Sequence, residues 1–174
     1  MPVYEFARIK PRIAPTAFVH PEAVVIGASA IGERCFIGPG AVVRADFGPI
    51  QIGDDTSIQD QAVIHVSPGC RVIVGKEVII AHHAVLHDVL LGDRCVIGMG
   101  ALLLQHVVCE EDAFVAAGSV VLHGTRIPRG MLSAGNPARV VKAMTQEAMA
   151  AMASGVEQYK SLVQQYRMTM VRLD

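Results

Sequence analysis

The sequence predicts a β protein, a parallel β-helix wound from hexapeptide repeats, with an α-helix at its C-terminal end. Three observations predict it. Aliphatic residues recur every six positions over most of the chain, and a small residue sits four places after many of them, as at Ala23, Ser29, Cys35, Ala41, Ala62, Ala84 and Cys95. Aromatic residues make up only 5% beside a hydrophobic share of 52%, so Val, Ile, Ala and Leu must fill a narrow, regular core. A period of six matches neither the 3.6 of a helix nor the 2 of a single strand; it suits short strands joined by tight corners.

The anchors run in blocks. Val19, Val25, Ile31, Ile37 and Val43 form the first; Ile52, Ile58 and Ile64 the second; Val74, Ile80 and Leu86 the third. The last block is Leu91, Ile97, Leu103, Cys109, Val115, Val121 and Ile127. Between blocks the spacing slips to nine residues (Val43 to Ile52), ten (Ile64 to Val74) and five (Leu86 to Leu91), and these slips are expected to be loops. The repeats are expected over about 13–135 and are terminated by SAGNPARVV. Beyond them 145–170 reads as helix: Thr145 caps the first turn, and Val156, Tyr159, Leu162, Val163 and Tyr166 make one apolar stripe. Ser154-Gly155 is a potential kink or break, and the stripe must lie either on the chain's own coil or on a neighbouring subunit. A chain of 174 residues is long enough for a single domain, 1–174, with a real core.

Composition excludes several classes. Fifteen basic residues face sixteen acidic ones with no basic cluster, which leaves nucleic acid little to bind. No apolar run reaches the ~20 residues that span a bilayer. MPVYEFARIKPRI lacks the apolar core of a signal peptide, so no membrane association and a cytoplasmic location are expected. Cys35, Cys70, Cys95 and Cys109 contain no CxxC; three fall at ordinary repeat positions and read as apolar filler.

The repeat resembles the left-handed β-helices, in which three hexads make one triangular coil. That resemblance implies the handedness and the three faces. On it the anchors sort into three columns and about six triangular coils, with Val19, Ile37, Ile58, Ile80, Ile97 and Val115 on the first face. Val25, Val43, Ile64, Leu86, Leu103 and Val121 take the second, and Ile31, Ile52, Val74, Leu91, Cys109 and Ile127 the third. The residues that follow the second-face anchors then include Arg44, His65 and His87, one per coil in a vertical row. Rungs ~4.8 Å apart let two such imidazoles reach one ion. His82 follows a first-face anchor above Asp60, so a corner separates it from the other two; in a homotrimer it could meet the His65 and His87 of the next subunit. His83, on the opposite side of its strand, His20, His106 and His123 are expected to lie outside this cluster.

The segment from AVVRADFGPIQIGDDTSIQDQAVIH to VIIAHHAVLHDVL looks like the gamma-class carbonic anhydrases and their relatives. Arg44 and Asp46 match that family's Arg-x-Asp; Gln59, Asp60 and His65 match its second element, and His82 and His87 its third. The resemblance implies zinc, with Fe²⁺ or Co²⁺ as alternatives, held by His65, His87 and the His82 of a neighbour. It implies reversible hydration of CO₂ to bicarbonate by a metal-activated water at trimer interfaces. Gln59 would orient the water or substrate, Tyr159 could reach the pocket from the helix, and Arg44 with Asp46 or Asp60 would form an ion pair at the subunit boundary. Ser57, Ala81 and Asp88 depart from the family's Asn, Gly and Gly, and neither slip supplies proton-shuttling acids. Two further readings go with the scaffold: an acyl-CoA thioesterase or acyltransferase, and a catalytically weak metal-binding assembly protein.

Overall fold

The computed structural model describes residues 2–174, and its strands stack as parallel rungs of a β-solenoid. On the first face Val19, Ile37, Ile58, Ile80, Ile97 and Val115 pair in register, each with the next, and Ser133 adds a last rung. On the second, Val3 lies beneath Val25 and the predicted column follows from it. On the third, Ile13 lies beneath Ile31. The helix therefore has about seven coils where the anchors predict six. The additional rungs escape a periodic reading because Ser133 is polar and because a tight turn at Ala7-Arg8, φ 49 and 65, separates Val3 from Ile13.

The inward anchors make the core. Ile37, Ile58, Ile64, Ile80, Leu86, Ile97 and Leu103 are wholly buried, each resting on its equivalents above and below. Corners are held by left-handed residues such as Arg34, Asp55, Gln61 and Arg94, φ 54 to 58. Space there is minimal: a Cβ on Gly53 would lie 2.6 Å from the Gly75 carbonyl of the next coil. Polar side chains lock one corner to the next. Asp54 Oδ1 accepts the Glu33 N–H at 3.0 Å, Asp93 Oδ1 accepts that of Lys76 at 2.8 Å, and Arg34 forks onto Asp55 at 2.6 Å.

These corner carboxylates give the fold an acid dependence. The Glu33 N–H and Lys76 hold Asp54 below its usual pKa against a smaller opposing effect of burial, and the Arg129 N–H and Arg126 do the same for Glu110. A depressed folded-state pKa contributes stability that is fully present above the unfolded value, ~4, and is lost as pH falls through the folded value. The urea midpoint is expected to fall steadily below pH ~4, and Asp54→Asn should flatten that slope while lowering the midpoint at neutral pH.

The first slip is not a loop. Val42–Ile52 is one continuous strand that turns the corner between two faces, paired along Val24–Ile31 with a register shift between Gly27 and Ser29. The extra residues, Asp46 to Pro49, bulge out there without ladder partners, and pairing resumes at Ile50. The second slip does leave the ladder: Ser67 to Cys70 form a turn closed by a 3.1 Å hydrogen bond. The third is a tight bend with Asp88 at φ 53.

The helix, α1, spans Gln146–Thr169, with the Thr145 side chain accepting the Ala148 N–H at 3.2 Å. It is unbroken at Ser154-Gly155, and Gly155 packs closely on the first face: a Cβ there would stand 3.1 Å from Ile79 Cδ1. The stripe lies on the chain's own first face. Val163, Tyr159 and Tyr166 pack on Phe18 and Phe36, and Val156 on Ile79 and Val96. Cys35, Cys95 and Cys109 are buried, and burial pushes the Cys35 and Cys95 thiols up to about 12, so they serve as inert filler. Among the described residues no helix is long and apolar enough to cross a membrane.

Candidate metal centre

Strand alternation sends Leu86 into the core and His87 out of it. His87 pairs with His65 on the rung below, and His65 with Arg44 below that. The two imidazoles converge: His65 Nδ1 stands 3.0 Å from His87 Nε2, with the rings nearly perpendicular. Each far nitrogen meets a carboxylate, His65 Nε2 at 3.0 Å from Asp46 Oδ1 and His87 Nδ1 at 3.1 Å from Asp88 Oδ2.

Both carboxylates are poised as anions. Burial raises the Asp46 pKa, but hydrogen bonds from Arg44 and His65 outweigh it and leave the group below its usual value. Arg44 closes on Asp46 of its own chain at 2.6 Å. Asp88 is 3% exposed; burial raises its pKa as well, and the Ser67 N–H, its hydroxyl and His87 bring it below normal. The Ser67 N–H donates to Asp88 Oδ1 at 2.6 Å, so the second slip is tied to this carboxylate.

These contacts fit a cation. In the tautomers that donate both outer N–H groups to the carboxylates, the inner nitrogens turn lone pairs towards each other at 3.0 Å, an arrangement that a positive ion between them relieves. Their separation is near the roughly 3.3 Å edge of a tetrahedron with bonds of ~2.0–2.1 Å to nitrogen. Carboxylate-backed histidines are the usual support of such ligands. Two donors are not a complete set. Among the described residues no group of three or more His, Cys, Asp or Glu side chains is arranged to hold a metal within one chain.

The remaining candidates lie around the corner. His82 Nδ1 is 2.5 Å from Asp60 Oδ2, and Gln59, buried, precedes that aspartate. Tyr159 packs on Phe36 at 5.2 Å, and its hydroxyl is raised by burial and then by the nearby charge of Asp60. Thus His65, His87, Asp46 and Arg44 form one cluster, while His82, Asp60 and Tyr159 lie around the corner at another. Ser57, under α1, is buried with its hydroxyl unpartnered. His83 is exposed at a corner with φ 59, and His20 accepts the Glu22 N–H.

Sequence reasoning missed two residues. Asp88 reads as a departure from a glycine, yet it anchors His87; an acid directly after a ligand histidine was the available signal. Phe47 packs against His65 in a tilted arrangement, ring centroids 5.8 Å apart, and remains 55% exposed, forming an apolar wall beside the pair. The outer side of the second face is also apolar apart from Arg44 and the two histidines. It presents Val24, Val42, Val63, Val85, Leu102 and Leu104, only partly covered, while α1 occupies the first face.

The hexapeptide repeat of succinyl-transferase matches residues 29–59 and 71–105. A gamma carbonic anhydrase of Arabidopsis thaliana mitochondria is 40% identical over 160 residues, covering 88% of this chain but 58% of its own length. The chain thus spans little more than half of that relative. The carnitine operon protein CaiE of Escherichia coli K12 is 35% identical, with 94% of this chain and 83% of its own covered. Among solved structures, a hexapeptide transferase family protein from Anaplasma phagocytophilum superposes with a TM-score of 0.91 at 34% identity, covering 95% of this chain and 98% of its own. A Bacillus cereus protein described as a candidate acetyltransferase gives 0.94 at 33%, covering 97% and 98%. On fold, repeat and sequence together, this chain belongs to the hexapeptide-repeat, left-handed β-helix proteins, the superfamily that includes the gamma-carbonic-anhydrase-like and CaiE-like chains.

Proposed function

We propose that the chain is a metal-dependent, carbonic anhydrase-like enzyme, working as a homotrimer in which His65 and His87 of one subunit share an ion with His82 of the next. The convergence of His65 Nδ1 and His87 Nε2 at 3.0 Å, with both outer nitrogens backed by carboxylates, carries this reading. The incomplete donor set asks for a neighbour, and the apolar second face offers a surface for one. Zinc, Fe²⁺ and Co²⁺ all accept imidazole. When bound, the ion would polarise water to a nucleophile near neutral pH.

The chain's own residues supply the rest. Asp46 and Asp88 fix the orientation of the two rings, and Arg44 holds Asp46 as an anion. Gln59, beside Asp60, is assigned to orient water or substrate. Asp60 holds the His82 ring, and Tyr159 lines the helix side of that cluster. Phe47 sheds water from the approach to His65, which suits an apolar substrate such as CO₂.

Acyl transfer or acyl-thioester hydrolysis is the second reading, and the two solved relatives described above as transferases lean that way. A cleft of about 410 Å³ between α1 and the first face, floored by Val96, Met152 and Val156 and rimmed by Arg94 and Glu77, has the apolar character an acyl chain needs. A third reading keeps the metal and assembly without turnover.

One preparation separates them. Protein purified without chelator is measured for metal content and mass in solution, then for CO₂ hydration by stopped flow and for hydrolysis over an acyl-CoA panel. The proposal expects a trimer with at least one ion per chain, lost on replacing His87, and metal-dependent hydration. A monomer, or a trimer without stoichiometric metal, overturns it; thioester turnover without hydration gives the site to acyl chemistry.

A further inference from the structure

A second histidine pair stands on the two coils beyond the His65–His87 pair. His106 and His123 pack with ring centroids 5.1 Å apart and planes at 87°, close to the 4.9 Å and 83° of His65 and His87. We propose that His106 and His123 form a second, solvent-facing cation site that takes a borderline divalent transition-metal ion such as Zn²⁺, Ni²⁺ or Cu²⁺, independent of the first.

The backbone fixes where the two residues stand. The His106 N–H donates to the Asp88 carbonyl at 3.0 Å, and the next coil closes over it through the Gly124 N–H and the Gln105 carbonyl at 2.9 Å. His106 itself occupies the left-handed corner, φ 61, with Gly124 at φ 68 stacked on it. Two imidazoles carried on adjacent rungs, with centroids already 5.1 Å apart, are within reach of one ion.

Chemistry differs between the two pairs in an informative way. His65 and His87 are each backed by a carboxylate and partly shielded, whereas His106 and His123 are exposed and neither is in an ion pair with a carboxylate among the described residues. Water must complete the coordination at the outer pair. Neutral nitrogen donors with water select zinc, nickel and copper over magnesium or calcium, which prefer oxygen. Weaker and faster-exchanging binding than at the inner pair follows from the missing carboxylates.

The test uses tag-free, chelator-stripped protein titrated calorimetrically with Ni²⁺. His65→Ala/His87→Ala removes the inner donors and is expected to retain one Ni²⁺ per chain. Adding His123→Gln to that variant should weaken binding by at least about tenfold, and His106→Asn, which tolerates the left-handed corner, should do the same. In the unaltered chain His123→Gln should abolish only the weaker of two binding events. Absence of a Ni²⁺ event in the His65→Ala/His87→Ala protein, with its circular dichroism unchanged, overturns the proposal. Full Ni²⁺ affinity after both outer substitutions overturns it equally, and neither result touches the inner centre.

Discussion

Alanine at His87 is expected to strip the protein of its inner metal and leave its fold intact. The substitution removes one of two converging nitrogens and leaves the buried Asp88 carboxylate without its imidazole, held by Ser67 alone. Loss of metal should exceed the ~10–100-fold that removal of a supporting carboxylate typically causes. Asp88→Asn provides that milder comparison. Because His87 points out of the core, circular dichroism and the urea midpoint should change little beyond the loss of bound-ion stabilisation. Metal analysis after dialysis reads the effect directly once His123→Gln has removed the outer pair, and retention of one ion per chain by the His87→Ala/His123→Gln protein would refute the assignment.

One residue earlier the expected effect is of the opposite kind. Leu86 is wholly buried and stacked between Ile64 and Leu103. Leu86→Ala opens a cavity in the middle of a core only one side chain wide per face, and is expected to destabilise by about 2–5 kcal/mol. In a solenoid each coil rests on its neighbours, so the loss is not relieved by distant repacking. Denaturant unfolding checks it: an unchanged midpoint would mean that the column does not carry the fold. The pair Leu86 and His87 thus separates stability from chemistry on a single strand.

Much of the architecture is legible because the repeat states it many times. Ile37, Ile58, Ile80 and Ile97 each recur at equivalent places, and a misreading at one would conflict with the others. Register follows from that repetition, and with it the adjacency of Arg44, His65 and His87. Where repetition stops, inference weakens. The nine-residue slip from Val43 to Ile52 looks like a loop, but hydrogen bonding along Val24–Ile31 makes it a strand. Ser133 hides the last rung because its side chain breaks the apolar pattern.

Sequence by itself determined the coil, the inward anchors, the C-terminal helix and the rung that aligns His65 with His87, since each depends on a local period of six or 3.6 residues. Tertiary structure alone decided that Asp46 and Asp88 take the outer ring nitrogens and that α1 lies on its own first face with Gly155 against Ile79. It also decided that the His82 ring closes on the Asp60 carboxylate, where the period had only stacked the two residues. Those outcomes depend on corner dihedrals and on ring orientations between residues about one coil apart, which no spacing along the chain encodes.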